Sequence, residues 1–205
     1  MTRYAVAWIY LASVSAAEIA YSLLPARDQA AVLAWASTNV HNLTRDPVGC
    51  MIASAFFPAA SLLVWPLIIA ATMFGANGAL GNWRTAVTCA AGHVIGTLVS
   101  EGILWYRIDH GTMPAADRLI QDVGPSYVVV TAIAVALLWG SWLARLSAAL
   151  AFAALIFIGG IFSGLSHLEL TPVGHVTALF VGLTLGSYLA WDRRRRPAAA
   201  SLRSA

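Results

Sequence analysis

Residues 173–186 read VGHVTALFVGLTLG, an apolar stretch in which small residues return at a fixed interval. The small residues stand at every fourth position: Gly174, Ala178, Gly182 and Gly186. Residues four apart lie on one face of a helix, so together they form a smooth ridge. In a membrane, such a ridge allows two helix backbones to approach closely. The stretch therefore predicts a membrane helix packed tightly on a neighbour, with His175 beside the contact.

The composition of the whole chain is that of an integral membrane protein. Of its 205 residues, 60% are hydrophobic and 10% are charged, and the mean hydropathy is +0.75. A soluble domain carries roughly 25% charged residues, and a membrane-spanning helix needs about 20 mostly apolar residues. Six windows meet that requirement, near residues 4–25, 48–73, 84–106, 124–144, 147–166 and 172–191. We predict an all-α polytopic membrane protein, with a six-helix domain over 1–192 and a basic tail over 193–205.

The arginines predict the orientation of these helices. The chain contains twelve arginines and no lysine. With six spans, eight arginines share the side of both termini, and the other side holds Arg27, Arg45, Arg107 and Arg118. Because basic residues are enriched on the cytoplasmic side, we expect both termini in the cytoplasm of a bacterial cell and the chain in its plasma (inner) membrane. The net charge of +3 then reflects topology, not a nucleic-acid surface.

The sequence predicts no cofactor and no metal site. The five histidines lack the i, i+4 spacing of a helical zinc pair. The glycines at 75, 78 and 81 lack the lysine of a phosphate-binding loop. Cys50 and Cys89 are expected at different depths, which makes a disulfide between them improbable.

A serine and a histidine stand at the outer ends of two predicted spans. Ser126 follows Gly124 and Pro125 at the start of the fourth window, and His175 lies near the start of the sixth. Both helices enter from the outer side in the predicted topology, so the two residues share a layer. A hydroxyl within hydrogen-bond reach of an imidazole is a nucleophile and its base. The alternative is structural, because serine packs as a small residue and histidine bonds neighbouring helices.

Other polar residues receive structural interpretations. Glu18, His93 and Glu101 fall inside predicted spans and should face the bundle interior. The loop 107–123, including Asp122, mixes charges of both signs and is expected to be a solvated connection. Residues 28–43 have the pattern of a short amphipathic helix in the outer interface, or of a plain connecting helix.

A second Gly-x-Ser sequence occurs at Gly164-Leu165-Ser166-His167. Adjacent residues on a helix do not face each other. Ser166 and His167 are therefore expected at the interface and not as a dyad, unless the helix has ended before them.

Two stretches carry a resemblance to a known family. Residues 123–129, VGPSYVV, resemble the start of the fourth helix of the rhomboid intramembrane serine proteases, where Gly-x-Ser-Gly presents the nucleophile. Residues 173–183 look like the rhomboid sixth helix, whose histidine is the general base. Residues 48–101 are similar to the second and third helices. The resemblance implies a rhomboid-like bundle in which Ser126 is the nucleophile and His175 the general base.

The chain departs from the rhomboid pattern on helix two. The proteases carry His-x-x-x-Asn there, and both side chains help to form the oxyanion hole. Residues 61–68 here read SLLVWPLI, so Leu63, Pro66 and Leu67 occupy that region. Removing one oxyanion donor costs about 3 to 4 kcal/mol of transition-state stabilisation. In addition, Tyr127 replaces the glycine that follows the nucleophile.

Two functions therefore remain open from the sequence. The first is a divergent, weak intramembrane serine protease that acts on transmembrane proteins. The second is an inactive rhomboid-like protein that binds transmembrane clients or serves as a subunit of a membrane complex. Transport is less favoured, because residues 1–106 and 107–205 show no internal repeat of the kind that carriers have. In either case the lipid bilayer is a partner.

Overall fold

A computed structural model describes residues 3–57 and 64–201, with side chains up to residue 195. All the regular secondary structure of these ranges is helical, which confirms the all-α prediction. The α-helices are α1 (Ala5–Ser22), α2 (Ala26–Ala36), α3 (Val40–Arg45), α4 (Pro47–Ser54), α5 (Val64–Leu80), α6 (Asn82–Asp109), α7 (Ser126–Trp139), α8 (Trp142–Phe157) and α9 (Leu170–Ser201). Short 3-10 helices cover Ala115–Leu119 and Leu165–His167.

Six of these helices correspond to the six apolar windows. In the described ranges, α1, α6 and the Leu170–Arg195 part of α9 are long and apolar enough to cross a membrane. The helices α5, α7 and α8 are apolar but shorter, at 17, 14 and 16 residues.

The second window contains a break that the hydropathy pattern did not predict. Residues 48–73 were expected to form one span, but α4 ends at Ser54 and α5 begins at Val64. The start of α4 is fixed by Asp46, whose carboxylate accepts the Gly49 N–H at 2.9 Å, and by Pro47 in the first turn. A separate short helix therefore precedes the second apolar helix.

The fifth window is shifted towards the N-terminus. The helix was expected over 147–166, but α8 begins at Trp142, where the Ser141 hydroxyl accepts the Ala144 N–H at 3.4 Å. It ends at Phe157, before Gly159 and Gly160. Gly160 has a φ of +60°, which a helix cannot continue through and which glycine adopts without strain.

The central helix of the bundle is α7. Its residues from Tyr127 to Ala136 are all buried, on every face of the helix. A helix that is apolar all round is one that neighbours surround. Its neighbours here are α5, α6, α8 and α9.

The small-residue ridge of α9 packs on α7, as the sequence predicted. A Cβ atom at Gly174 would overlap the Tyr127 ring. A Cβ atom at Gly182 would lie 2.6 Å from the Thr131 carbonyl oxygen. Between these two positions, the Thr131 hydroxyl donates to the Ala178 carbonyl at 3.1 Å. The ridge therefore sets how closely the two helices approach.

The arginine-rich end of the bundle is tied to the end of α9. Arg84 and Asp192 form an ion pair at 2.9 Å. Arg193 donates to the carbonyls of Gly78 and Ala79 at 3.0 and 2.7 Å, and so satisfies the C-terminal turn of α5. The helix α9 continues to Ser201, into the stretch expected to be a basic tail.

Candidate functional site

His175 lies in the second turn of α9 and is 2% exposed. Its Nδ1 lies 2.8 Å from the Ile161 carbonyl oxygen. A carbonyl only accepts, so Nδ1 carries the hydrogen and Nε2 is left as an acceptor. Nε2 is buried and has no hydrogen-bond partner in the part of the chain that the structure describes. The imidazole is thus held in the tautomer that a general base requires.

Ser126 is the first residue of α7 and is half-buried. No hydrogen bond joins it to His175 among the described residues. The side chain that faces the imidazole is Tyr127, whose ring centroid lies 5.2 Å from that of His175 at 79°. Successive residues on a helix point about 100° apart. The structure therefore brings the two predicted site residues to the same end of the α7–α9 pair and places a tyrosine against the histidine.

The Tyr127 hydroxyl is held by a carboxylate that the sequence analysis missed. It donates to the two Asp122 carboxylate oxygens at 3.2 and 3.1 Å. The prediction that Asp122 belongs to a solvated loop is wrong, since the residue is 7% exposed. Burial raises the pKa of the Asp122 carboxyl to about 6, and hydrogen bonds from Tyr127 and Thr38 limit the rise.

Through its backbone, Asp122 also joins the loop between α6 and α7 to the connection between α2 and α3. The Thr38 N–H donates to the Asp122 carbonyl at 2.8 Å, and the Asp122 N–H donates to the Ser37 hydroxyl at 2.9 Å. Ser37 and Thr38 lie in the buried connection between α2 and α3. These contacts link residues more than eighty positions apart, so the sequence offers no signal for them beyond the place of Asp122 next to the fourth window.

A serine and a histidine do form a hydrogen bond, but they are Ser54 and His93. Ser54 Oγ and His93 Nε2 are 3.0 Å apart, and the same Nε2 lies 2.9 Å from the Met51 carbonyl oxygen. Because that carbonyl only accepts, Nε2 carries a hydrogen and cannot take a proton from Ser54. Ser54 is also fully buried. The pair therefore holds α4 against α6 and has no activated hydroxyl.

Two openings lie near these residues. A cleft of about 550 Å³ at the end of the bundle opposite both chain termini is lined by His175, by the loop between α8 and α9 and by the end of α6. An apolar groove of about 400 Å³ runs between α1, α4 and α6. Its lining includes Ile9, Ile52, Ala90, His93 and Val94.

A comparison with protein families accounts for this architecture. A family model described as rhomboid-like protein matches residues 2–194, which include five of the six apolar helices entirely and α9 up to residue 194. The chain belongs to the rhomboid-like protein family. No curated protein and no solved structure matches it. The resemblance drawn from residues 123–129 and 173–183 is thereby confirmed at the level of the family.

In the stretch that was compared with the oxyanion-hole pair of the rhomboid proteases, Pro66 and Leu67 carry no side-chain hydrogen-bond donor. Leu67 is 69% exposed and points away from the bundle, and Pro66 is half-buried. Leu63 lies outside the described residues.

Ser166, in the second Gly-x-Ser sequence, lies beyond the end of α8 and not inside the helix expected over 147–166. The α8 helix has ended before Ser166, and Leu165–His167 is a single 3-10 turn. Ser166 and His167 are both exposed, and no hydrogen bond joins them among the described residues. Arg107 secures this turn by donating to the carbonyls of His167 and Leu168 at 3.0 and 3.2 Å.

The remaining ionisable residues are buried in the rhomboid-like bundle, as predicted. Glu18 and Glu101 are each 2% exposed, and His93 is 5% exposed. Cys50 and Cys89 are free and buried. Within the described ranges, no group of three or more His, Cys, Asp or Glu side chains is placed to hold a metal ion.

Proposed function

We propose that this rhomboid-like protein binds transmembrane segments of other membrane proteins, alone or within a larger membrane complex, and does not cleave them through Ser126 and His175. The observation that carries the proposal is the position of Tyr127. Its ring packs against the His175 imidazole, and its hydroxyl is fixed by Asp122. A serine hydroxyl is activated when it lies within hydrogen-bond reach, about 3 Å, of its base, and among the described residues no hydrogen bond joins Ser126 to His175.

The missing oxyanion donors support the same proposal. An acyl transfer reaction builds negative charge on the carbonyl oxygen, and preorganised donors are the main means of stabilising it. Pro66 and Leu67 supply no side-chain donor, and Pro125 has no N–H next to Ser126. A peptide bond bound at this site would find few groups to stabilise its transition state.

The lateral groove between α1, α4 and α6 supports client binding. Its lining is almost wholly apolar, and Ile9 and Ile52 on its rim are more than half exposed. An apolar helix of another protein fits such a groove by van der Waals packing, the main force between helices in a bilayer. Ala86 and Ala90 are small residues on its α6 wall, which permits close approach.

The proposed setting is the bacterial plasma (inner) membrane. Six spans, with both termini in the cytoplasm, follow from the six apolar helices and from the arginine asymmetry. Reporter fusions after Arg196 test this orientation, and an outward-facing reporter would contradict it.

A photo-crosslinking experiment tests client binding. A photoreactive phenylalanine at Ile52, in the groove, is expected to form adducts with spanning segments of other proteins. The same group at Phe180, which is 64% exposed on α9 outside the groove, should give only lipid adducts. Ala90→Trp fills the groove from an exposed position and should lower the Ile52 adduct about tenfold, equal to about 1.4 kcal/mol of binding energy.

The matched control is Ala149→Trp, an equally exposed position on α8, which should leave the Ile52 adduct unchanged. Equal adducts from Ile52 and Phe180, or no effect of Ala90→Trp, would remove the support for the groove as a client site.

The second candidate function is a weak serine protease, and one observation favours it. His175 Nε2 is an unpartnered acceptor in the tautomer of a general base, beside an open cleft. If the start of α7 rotates, Ser126 attacks a peptide carbonyl, its proton passes to His175 and then to the leaving amine, and water releases the acyl group. Serine-directed labelling separates the two functions.

A further inference from the structure

An inner cleft of about 530 Å³ opens at the arginine-rich end of the bundle, between α1, α5 and α8. Its lining includes Arg3, Tyr4, Phe74 and Leu143. We propose that the inner cleft binds one anionic phospholipid, with the phosphate at Arg3 and an acyl chain against Ala70, Ala71 and Leu143. This inference is independent of the proposed client binding.

The position of Arg3 is fixed and its charge is available. The Asn77 amide donates to the Arg3 carbonyl at 3.2 Å and so holds the backbone at the cleft. The guanidinium lies 5.2 Å from the centroid of the Tyr4 ring and is exposed. In the described part of the chain, no carboxylate pairs with Arg3 and no acidic residue lines the inner cleft.

The charge around the inner cleft is strongly positive. Eight of the twelve arginines fall at this end by sequence, against one acidic residue, Asp192. That aspartate is already paired with Arg84 at 2.9 Å. Two more arginines flank the inner cleft: Arg194 lies 4.7 Å from the centroid of the Trp139 ring, and Arg145 donates to the Leu138 carbonyl. A ligand for this region must therefore be anionic.

The shape and polarity of the inner cleft favour a lipid over a free phosphate ion. On α5 its lining includes the small residues Ala70 and Ala71, whereas at Gly75 the helix packs against α8, since a Cβ atom there would lie 2.9 Å from the Ala144 Cβ. Phe74 and Leu143 add apolar walls that an inorganic ion would not use. Basic pockets between membrane helices on the cytoplasmic side are characteristic sites for anionic headgroups, and the arginine-rich end is the one we propose to be cytoplasmic.

Lipid titration of the full chain tests this inference. The protein in dodecyl maltoside would be titrated with dioleoyl phosphatidylglycerol, with dioleoyl phosphatidylcholine and with inorganic phosphate, and bound lipid counted by native mass spectrometry. We expect one tightly bound phosphatidylglycerol molecule and weaker binding of phosphatidylcholine. Inorganic phosphate should not displace the bound lipid. Arg3→Gln should weaken phosphatidylglycerol about fivefold, the factor that one basic residue contributes at an anionic surface.

Two variants distinguish binding at the inner cleft from nonspecific attraction of an anionic lipid to the positive charges of the protein. Ala71→Phe fills the inner cleft from α5 and leaves every charge in place. It should weaken the binding of phosphatidylglycerol as Arg3→Gln does. Arg118→Gln removes a charge from the opposite end and should change nothing. The inference is overturned if phosphatidylglycerol and phosphatidylcholine bind equally, if Arg118→Gln acts like Arg3→Gln, or if phosphate alone displaces the lipid. None of these outcomes bears on the photo-crosslinking from Ile52, which tests the proposed client binding separately.

Discussion

Gly182→Leu is expected to destabilise the bundle strongly. A Cβ atom at this position would lie 2.6 Å from the Thr131 carbonyl oxygen and 2.7 Å from the Ala134 Cβ, both on the buried helix α7. Backbone atoms cannot turn away as a side chain does, so α7 and α9 must separate. Overpacking typically costs about 1 to 3 kcal/mol and more when backbones move, against a total stability of about 5 to 15 kcal/mol.

Thermal unfolding and gel filtration in detergent measure this effect. The control is Gly102→Ala on α6, where nothing lies within 4 Å of the added atom. Alanine favours a helix over glycine by about 1 kcal/mol, so this variant should be as stable as the parent or slightly more. A Gly182→Leu protein with the melting temperature of the parent would show that the α7–α9 contact is not as close as described.

Replacement of Tyr127 is also expected to destabilise the bundle strongly. The side chain is 2% exposed and contacts His175 and Gly174. Truncation of a buried aromatic residue to alanine costs about 3 to 5 kcal/mol. Tyr127→Phe keeps the ring and removes only the hydroxyl, which leaves the Asp122 carboxylate short of a donor. Loss of a hydrogen bond to a charged group costs about 1.5 to 3 kcal/mol.

The effect of Tyr127→Phe should depend on pH. The folded-state pKa of Asp122, about 6, lies above the ordinary value of 3.8, so the folded protein holds this proton more tightly than the unfolded chain. The contribution of Asp122 to stability is therefore present below pH 4 and is lost as the pH rises through 6. At pH 7.5 the carboxylate is charged and needs the Tyr127 hydroxyl, whereas at pH 5 it is mostly protonated.

Denaturation at the two pH values measures this dependence. Tyr127→Phe should be more destabilising at pH 7.5 than at pH 5, and the difference should disappear in an Asp122→Asn background, where the residue at 122 stays neutral. An equal loss at both pH values in the parent background would mean that Asp122 does not titrate in this range.

Helix packing was more predictable from the sequence than the site. Four-residue spacing of Gly174, Ala178, Gly182 and Gly186 depends only on helix geometry, so it predicted the face of α9 that meets α7. Hydropathy located the six apolar helices but not the separate helix α4, whose start depends on the Asp46 cap and whose end at Ser54 falls within an apolar stretch. Hydropathy does not record which side chain accepts a backbone hydrogen bond.

The neighbours of His175 were less predictable. The sequence matches at residues 123–129 and 173–183 place Ser126 and His175 at one depth. The direction of each side chain depends in addition on where its helix starts and on the rotation of that helix about its own axis. A shift of one residue moves a side chain by about 100° around a helix, and this is the difference between Ser126 and Tyr127 facing the imidazole. The burial of Asp122 depends on contacts with Ser37 and Thr38, which are distant in the chain.

Serine-directed labelling tests most directly the claim that Ser126 is not activated by His175. The purified chain would be treated with a fluorophosphonate, alongside a known serine hydrolase as a positive control, and labelled peptides mapped by mass spectrometry. We expect no label on the peptide that contains Ser126, and identical results for the parent, Ser126→Ala and His175→Gln. A label mapped to Ser126 that disappears in Ser126→Ala and falls sharply in His175→Gln would contradict the account and establish the Ser–His dyad.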